Sequence, residues 1–336
     1  MKKWNIAILG ATGAVGQQML KVLDERKFPI GEIKALASAS SAGKKVYCGE
    51  RELIIEEATE ASFKGMDFVL GAVSNAMSKK FAKAIVDAGA VYIDNSSAFR
   101  LDSDVPLVVP QINPEDAFQH HGIIANPNCS TIVTLMAISG IARIAKIETM
   151  VACTYQAVSG AGREGIEELE QQIKAEYTGE AKISKVFPCQ ILSNAIPRIG
   201  DELENGYTTE EMKMQNEGRK IMHLPELKVC CTCVRIPVMR SHSISVQLLL
   251  DRAISVDEAK QAIAKAPGCV LTEDIDGRNY PTPLDTSDQD LVYVGRVRRD
   301  LINGDKGIAL WCCGDQIRKG AATNCVEIAE LLASRA

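Results

Sequence analysis

The chain is 336 residues long, 46% hydrophobic and 24% charged, with a formal net charge of -5. That length gives room for two domains, and that composition is ordinary for a globular chain in water. An acidic balance without a dense Lys/Arg cluster argues against nucleic-acid binding, and no apolar run reaches the roughly 18–20 residues of a bilayer span.

Met1-Lys2-Lys3-Trp4 runs straight into a strand pattern, so a cytoplasmic protein without a cleavable leader is expected. Asn5–Leu9 reads as a buried strand, followed by a Gly-rich turn and a helix to about Glu25. Glu32–Ala37 and Asp67–Val73 read as further strands, then a helix over about 76–88, and strands at Val91–Asp94 and Gly122–Ala125. Strands separated by helices of this length imply a parallel sheet with right-handed crossovers. Beyond Cys129 the strand candidates lengthen: 148–157, 227–237, 243–250, 293–298 and 307–313, with amphipathic helices at 164–176 and 256–266. This predicts a mixed, largely antiparallel sheet with helices on one face. Glu164, Glu167, Glu168 and Glu170 read as the exposed face of the first of those helices. The charged stretch 200–222 reads as surface helix or loop, and the last helix, about 319–333, as returning to the first domain. The expected division is 1–128 plus 319–336, and 129–318.

Eleven cysteines are an odd number, and most lie within apolar runs. Cys230, Cys231 and Cys233 share one strand candidate, and Cys312 and Cys313 another. Strand alternation sends neighbours to opposite faces, a poor cage for a tetrahedral metal. No metal site is expected, and the thiols fit a reducing compartment.

The stretch Asn126-Pro127-Asn128-Cys129-Ser130-Thr131 lies between the short strand at 122–125 and an apolar helix. Cys129 thus falls where unpaired N–H groups and the positive end of a helix dipole converge, a setting that favours a thiolate nucleophile. A buried cysteine after a Pro turn fits this stretch alone equally well.

Gly10-Ala11-Thr12-Gly13-Ala14-Val15-Gly16 follows the first strand and opens the first helix, as a dinucleotide pyrophosphate site requires. At the end of the second strand, where an NAD-selective site places Asp or Glu, stand Ser38, Ser40 and Ser41, followed by Lys44 and Lys45. Hydroxyls and lysines suit a 2′-phosphate, which favours NADP.

The Gly-turn, Ser96-Ser97-Ala98-Phe99-Arg100, Asn126–Thr131, Gln156–Gly162 and Arg235–His242 occur in that order. Together they closely resemble bacterial aspartate-β-semialdehyde dehydrogenases over essentially the whole chain. The resemblance implies an α/β fold: a Rossmann-like dinucleotide-binding domain plus an α+β catalytic and dimerisation domain with a mixed sheet. It implies NADP-linked interconversion of aspartyl-β-phosphate with aspartate-β-semialdehyde and inorganic phosphate, in biosynthesis of lysine, threonine, methionine and isoleucine. A homodimer is implied, with a homotetramer also open.

By the same resemblance Cys129 is the nucleophile, His242 the general acid/base, with a pKa near neutrality, and Gln156 orients the intermediate. Arg235 grips the substrate carboxylate, and Arg100 and Lys220 bind phosphate with Asn128 and Ser97 beside them. Glu217 receives the substrate amine. Gly10, Thr12, Gly13, Ala14, Val15, Gly16, Ser38, Ser40, Ser41, Ser159 and Gly160 contact the coenzyme. One departure stands out: the bacterial pattern commonly has Arg where this chain has Ser40, so dual NAD/NADP use is expected unless Lys44 or Lys45 compensates.

N-acetyl-γ-glutamyl-phosphate reductases share the implied fold, but their nucleophile segment reads PGCYPT-like. Phosphorylating glyceraldehyde-3-phosphate dehydrogenases show SCTT-like segments, and silent paralogues lose the cysteine or histidine that this chain keeps.

Overall fold

The computed structural model describes residues 2–335, which divide into two compact units, 2–128 with 321–335, and Cys129–Gly320. In the first unit, β1 (Trp4–Leu9) leads into α1 (Ala14–Glu25), and β2 (Ile30–Ala37) follows. Then come β3 (Lys45–Cys48), β4 (Arg51–Glu57), β5 (Phe68–Gly71), α2 (Asn75–Asp87), β6 (Val91–Asp94) and β7 (Ile123–Ala125). The sheet order is β3-β4-β2-β1-β5-β6-β7. Every pairing is parallel except β3 with β4, an antiparallel edge hairpin absent from the sequence-based expectation.

Alternation along β1 divides the core. Ile6 and Ile8 pack with Met19, Leu20 and Leu23 of α1, whereas Ala7 and Leu9 face Phe81 and Ile85 of α2. Burial on both faces is what a central parallel strand requires, and it explains the unbroken apolar run at 6–9.

The second unit opens with α3 (Cys129–Ala142), whose residues 130–141 are all buried. It continues with β8 (Ile147–Gln156), α4 (Gly162–Thr178), α5 (Thr209–Ile221), β9 (Lys228–Arg235), β10 (His242–Leu250) and α6 (Val256–Ala264). After these come β11 (Cys269–Leu271), α7 (Pro283–Thr286), β12 (Val292–Arg299) and β13 (Gly307–Gly314). The sheet runs β11-β12-β13-β10-β8-β9. It is mixed: β8 with β9 and β11 with β12 are parallel, and the other neighbours antiparallel. The last helix, α8 (Thr323–Ala333), belongs to the first unit, where Val326 and Ile328 join the cluster around Ile6 and Ile8. It begins later than the pattern suggested, because Arg318–Ala322 form a π turn ahead of it.

Two expectations need correction. The stretch 200–222 is not wholly surface: α5 buries Glu210, Glu211, Met214, Glu217, Gly218 and Ile221. Glu168 is not exposed either. Its carboxylate accepts the backbone N–H groups of Lys185 (2.7 Å), Val186 (2.6 Å) and Phe187 (3.3 Å), pinning that loop to α4. No helix of the described residues is long and apolar enough to cross a membrane.

Candidate active site

Residues far apart in sequence meet because three strand ends share one edge of the second sheet. Gln156 ends β8 and pairs in parallel register with Arg235, which ends β9. The next strand, β10, is antiparallel to β8, so its first residue, His242, lies at that same edge. All three side chains are buried, and His242 is 0% exposed.

Cys129, the first residue of α3, is half-buried and places Sγ 3.5 Å from His242 Nε2. The helix start supplies a positive dipole end. Gln156 Nε2 lies 3.4 Å from His242 Nε2, and its Oε1 accepts from Thr154 Oγ1 at 3.0 Å. The peptide of Ala157 serves two neighbours. Its N–H donates to His242 Nδ1 at 3.1 Å, and its carbonyl accepts from Arg235 Nη1 at 2.6 Å.

The histidine does not titrate near neutrality as expected. Burial first, then the positive charge of Arg235, push its pKa down to about 3 against the opposing pull of Glu210. The ring is therefore neutral at physiological pH. Burial likewise lowers Arg235 from its ordinary value, with Glu210 and Cys129 pulling the other way.

Ser159 and Gly160, expected at the coenzyme, lie in the second unit in a tight turn, 158–161, beside these groups. A Cβ on Gly160 would stand 2.6 Å from Arg235 Nη1 and 3.4 Å from His242 Nε2. Ser159 is hydrogen-bonded to Gln316 Nε2, and Gln316 Oε1 accepts the N–H of Ser241 at 2.8 Å. Ser241 holds a left-handed φ of 76° just ahead of His242. Gln316 thus ties the turn over the ring to the bend that delivers it, a role with no sequence signal.

Sequence reasoning also missed Glu210. Its Oε1 accepts from Gln156 Nε2 at 3.3 Å, and its Oε2 pairs with Lys213 Nζ at 2.8 Å. The Glu-x-x-Lys spacing occurs twice on α5, at 210/213 and at 217/220. In the earlier pair, two turns upstream on the same face, Glu210 reaches Gln156. Glu217 is buried lower on the helix, where Gly218 approaches Leu227 and Leu135.

In the first unit Arg100 is buried, its plane fixed by Nε to Asn126 O (2.9 Å) and Nη2 to Asn95 O (2.7 Å). Ser97 is exposed and exchanges hydrogen bonds with Asn75. Asn128 is buried immediately before α3.

The Gly-turn fits a pyrophosphate. Gly10 has φ of 95°, and a Cβ there would collide with the Ala72 carbonyl, as one on Gly16 would with Gly10 O. No side chain caps α1 at Gly13, and its first turn holds no acidic residue, so its N–H end suits an anion. Ser38 and Ser40 are exposed, with Oγ atoms 3.0 Å apart, while Ser41 is buried. Lys45 is a weaker compensator than expected, because its ammonium pairs with Glu52 Oε1 at 2.9 Å across the β3–β4 hairpin. Among the described residues no His/Cys/Asp/Glu group has the arrangement of a metal site.

A dinucleotide-type sheet with this turn, and a second unit that sets a thiol facing an imidazole, are the parts of a nucleotide-linked aldehyde dehydrogenase. Residues 5–120 match the semialdehyde dehydrogenase NAD binding domain, and residues 138–319 the semialdehyde dehydrogenase dimerisation domain. Aspartate-semialdehyde dehydrogenase of Synechocystis is 47% identical over 98% of this chain and 97% of its own length. That of Aquifex aeolicus is also 47% identical, over 98% of both chains. Aspartate semialdehyde dehydrogenase II of Vibrio cholerae, solved complexed with ASA, superposes with a TM-score of 0.96. It is 41% identical, and 99% of each chain is covered. The chain belongs to the aspartate-semialdehyde dehydrogenase family, oxidoreductases of amino-acid biosynthesis.

Proposed function

We propose that this chain interconverts aspartate-β-semialdehyde and aspartyl-β-phosphate through a thioester on Cys129, with NADP as the preferred coenzyme. The observation that carries the reading is Cys129 Sγ at the start of α3, 3.5 Å from His242 Nε2. The sulfur adds to the aldehyde carbon, and phosphate later releases the acyl group from it. When bound, the coenzyme supplies the hydride acceptor. Arg235 offers a buried fork to the substrate carboxylate. Gln156 presents its amide beside the reacting centre.

Glu217 receives the substrate amine and Lys220 binds phosphate from α5, and Glu210, paired with Lys213 on the same helix, holds the Gln156 amide in place. Arg100 serves phosphate, with Asn128 and Ser97 as neighbouring donors. Gly10 to Gly16 cradle the pyrophosphate. Ser38, Ser40 and Ser41 meet the adenosine end without a carboxylate to repel a 2′-phosphate. The enzyme acts as a homodimer in the cytoplasm. The sheet face turned away from α3 supports pairing, because Val151, Tyr155 and Trp311 are only partly buried there.

The test is phosphate-dependent reduction of NADP, and separately NAD, by aspartate-β-semialdehyde. Wild type should turn over, Cys129→Ala should not, and Glu217→Gln should raise KM for the aldehyde. A folded wild-type protein inactive with both coenzymes, or an active Cys129→Ala, would refute the reading.

A further inference from the structure

β13 ends at Gly314, which pairs with His242 at the start of β10, so the residues that follow β13 emerge beside the bend that precedes the imidazole. The first of them, Asp315, is 0% exposed. A carboxylate so placed needs donors for its lone pairs. Four meet it. Oδ1 accepts the N–H groups of Ile317 (2.8 Å) and Arg318 (3.0 Å), and Oδ2 accepts Arg240 Nε (2.5 Å) and the N–H of Asp288 (2.6 Å).

The two oxygens hold different parts of the site. The Oδ1 donors open the π turn that starts at Arg318, and the Asp315 carbonyl accepts the Gly320 N–H within that turn at 3.0 Å. This backbone stands directly behind the thiol: a Cβ on Gly320 would lie 2.8 Å from Cys129 Cβ and 3.2 Å from its Cα. On the other side, Arg240 leads through Ser241 to His242. The φ of 76° at Ser241 is a conformation that persists only where the surroundings impose it. Gln316 accepts the Ser241 N–H, Thr286 Oγ1 pairs with its hydroxyl, and Asp315 accepts from the Arg240 guanidinium.

We propose that Asp315 is a positioning residue of the reaction: its one buried carboxylate fixes both the bend that delivers His242 and the turn behind Cys129, and so sets the distance between imidazole and sulfur. This rests on the thioester reading above and identifies what holds its nucleophile and its histidine in register. The carboxylate acts through two stretches of backbone and meets no reacting atom itself.

Substitutions can release the two parts. Asn at 315 has one accepting oxygen and a nitrogen that donates, so whichever way the amide turns, one pair of donors loses its acceptor. Arg240 can be varied alone, because its side chain reaches solvent at 28% exposure. Lysine there keeps a charged donor for Oδ2, whereas methionine keeps an unbranched stem and donates nothing.

A displacement of about 1 Å between reacting groups costs about 100-fold in rate, so Asp315→Asn and Arg240→Met should lower kcat for phosphate-dependent oxidation of aspartate-β-semialdehyde by about that factor. KM should stay within about threefold of wild type, since Arg235 is anchored separately on the Ala157 carbonyl. Arg240→Lys should restore kcat to within about tenfold of wild type. A second readout needs no substrate. Alkylation of Cys129 by iodoacetamide, followed by mass spectrometry of its peptide, should slow in Asp315→Asn and Arg240→Met but not in Arg240→Lys, because thiolate reactivity follows the groups beside the sulfur. A merely structural role would lower the melting temperature while the folded variants kept kcat and alkylation rate, and that result overturns the proposal. A change confined to KM, or an equal loss in Arg240→Met and Arg240→Lys, overturns it too. If Asp315→Asn fails to fold, the two Arg240 variants decide alone. Absence of phosphate-dependent turnover in wild type would instead sink the thioester reading, and the alkylation rates would still judge the placement of Cys129, so the two fail separately.

Discussion

Gly160→Ala tests whether the turn at 158–161 sets the position of the arginine. Gly160 does not have a left-handed φ, so alanine imposes no backbone strain, and the effect comes from contact alone. The new methyl would stand 2.6 Å from Arg235 Nη1, well inside the van der Waals limit, and 3.3 Å from His242 Cε1. The guanidinium must yield, and the bond it forfeits is the 2.6 Å donation to Ala157 O. A hydrogen bond from a charged donor is worth about 1.5–3 kcal/mol, which corresponds to about a 10- to 150-fold loss. If Arg235 holds the substrate carboxylate, that loss should appear in kcat/KM for aspartate-β-semialdehyde and chiefly in KM. The assay is initial-rate reduction of NADP at saturating phosphate, beside a thermal melt. A variant within twofold of wild type in kcat/KM would refute the placement of the turn against the arginine. An equal fall in kcat and in melting temperature, with KM unchanged, would point to general destabilisation and refute it too.

Ser40→Arg should raise the NADP/NAD ratio of kcat/KM by about 10- to 150-fold through one charged hydrogen bond to the 2′-phosphate, and an unchanged ratio would refute that reasoning. His242 also predicts an acid-sensitive fold. Its folded pKa of about 3 lies below the ordinary 6.5, so the unfolded chain binds the extra proton as pH falls between those values. Stability is intact above about pH 6.5 and should be lower by about 2 kcal/mol at pH 5, a loss that His242→Gln removes in denaturant titrations. Glu168→Ala would strand three backbone donors of the 185–187 loop and should cost about 2–4 kcal/mol, with faster proteolysis there than elsewhere.

Sequence reasoning worked where the controlling interactions are local. The β1–turn–α1 unit and the placement of Cys129 at a helix start depend on neighbours within a few residues, and both were legible. The β3–β4 hairpin was not, because β3 is only four residues long and β4 confines its apolar residues to Leu53–Ile55 between charged pairs, so neither carries a sustained strand pattern. The helix at 209–221 was half seen for a related reason. It buries carboxylates, and hydrophobic periodicity cannot register a face built from Glu210, Glu211 and Glu217. Glu211, for example, satisfies its charge by capping Thr208 N–H and accepting Cys233 N–H from β9. Glu168 escaped notice because its partners lie in a loop beyond the end of its own helix. Within the site, residue types were readable but their shared edge was not. Only the antiparallel turn of β10 against β8 brings His242 to Gln156 and Arg235.

Ala157 has a consequence for how such a site can change over generations. The atoms that orient the imidazole and anchor the guanidinium belong to its main chain, and nearly every side-chain replacement at that position leaves them in place. Point mutation can enlarge, shrink or recharge the surroundings, yet it rarely deletes an amide hydrogen or a carbonyl oxygen. Proline is the exception that removes the donor. Drift in the aligned pair is therefore confined to the strands and turns that carry the peptide, whereas the side chains that select the substrate remain open to replacement one at a time.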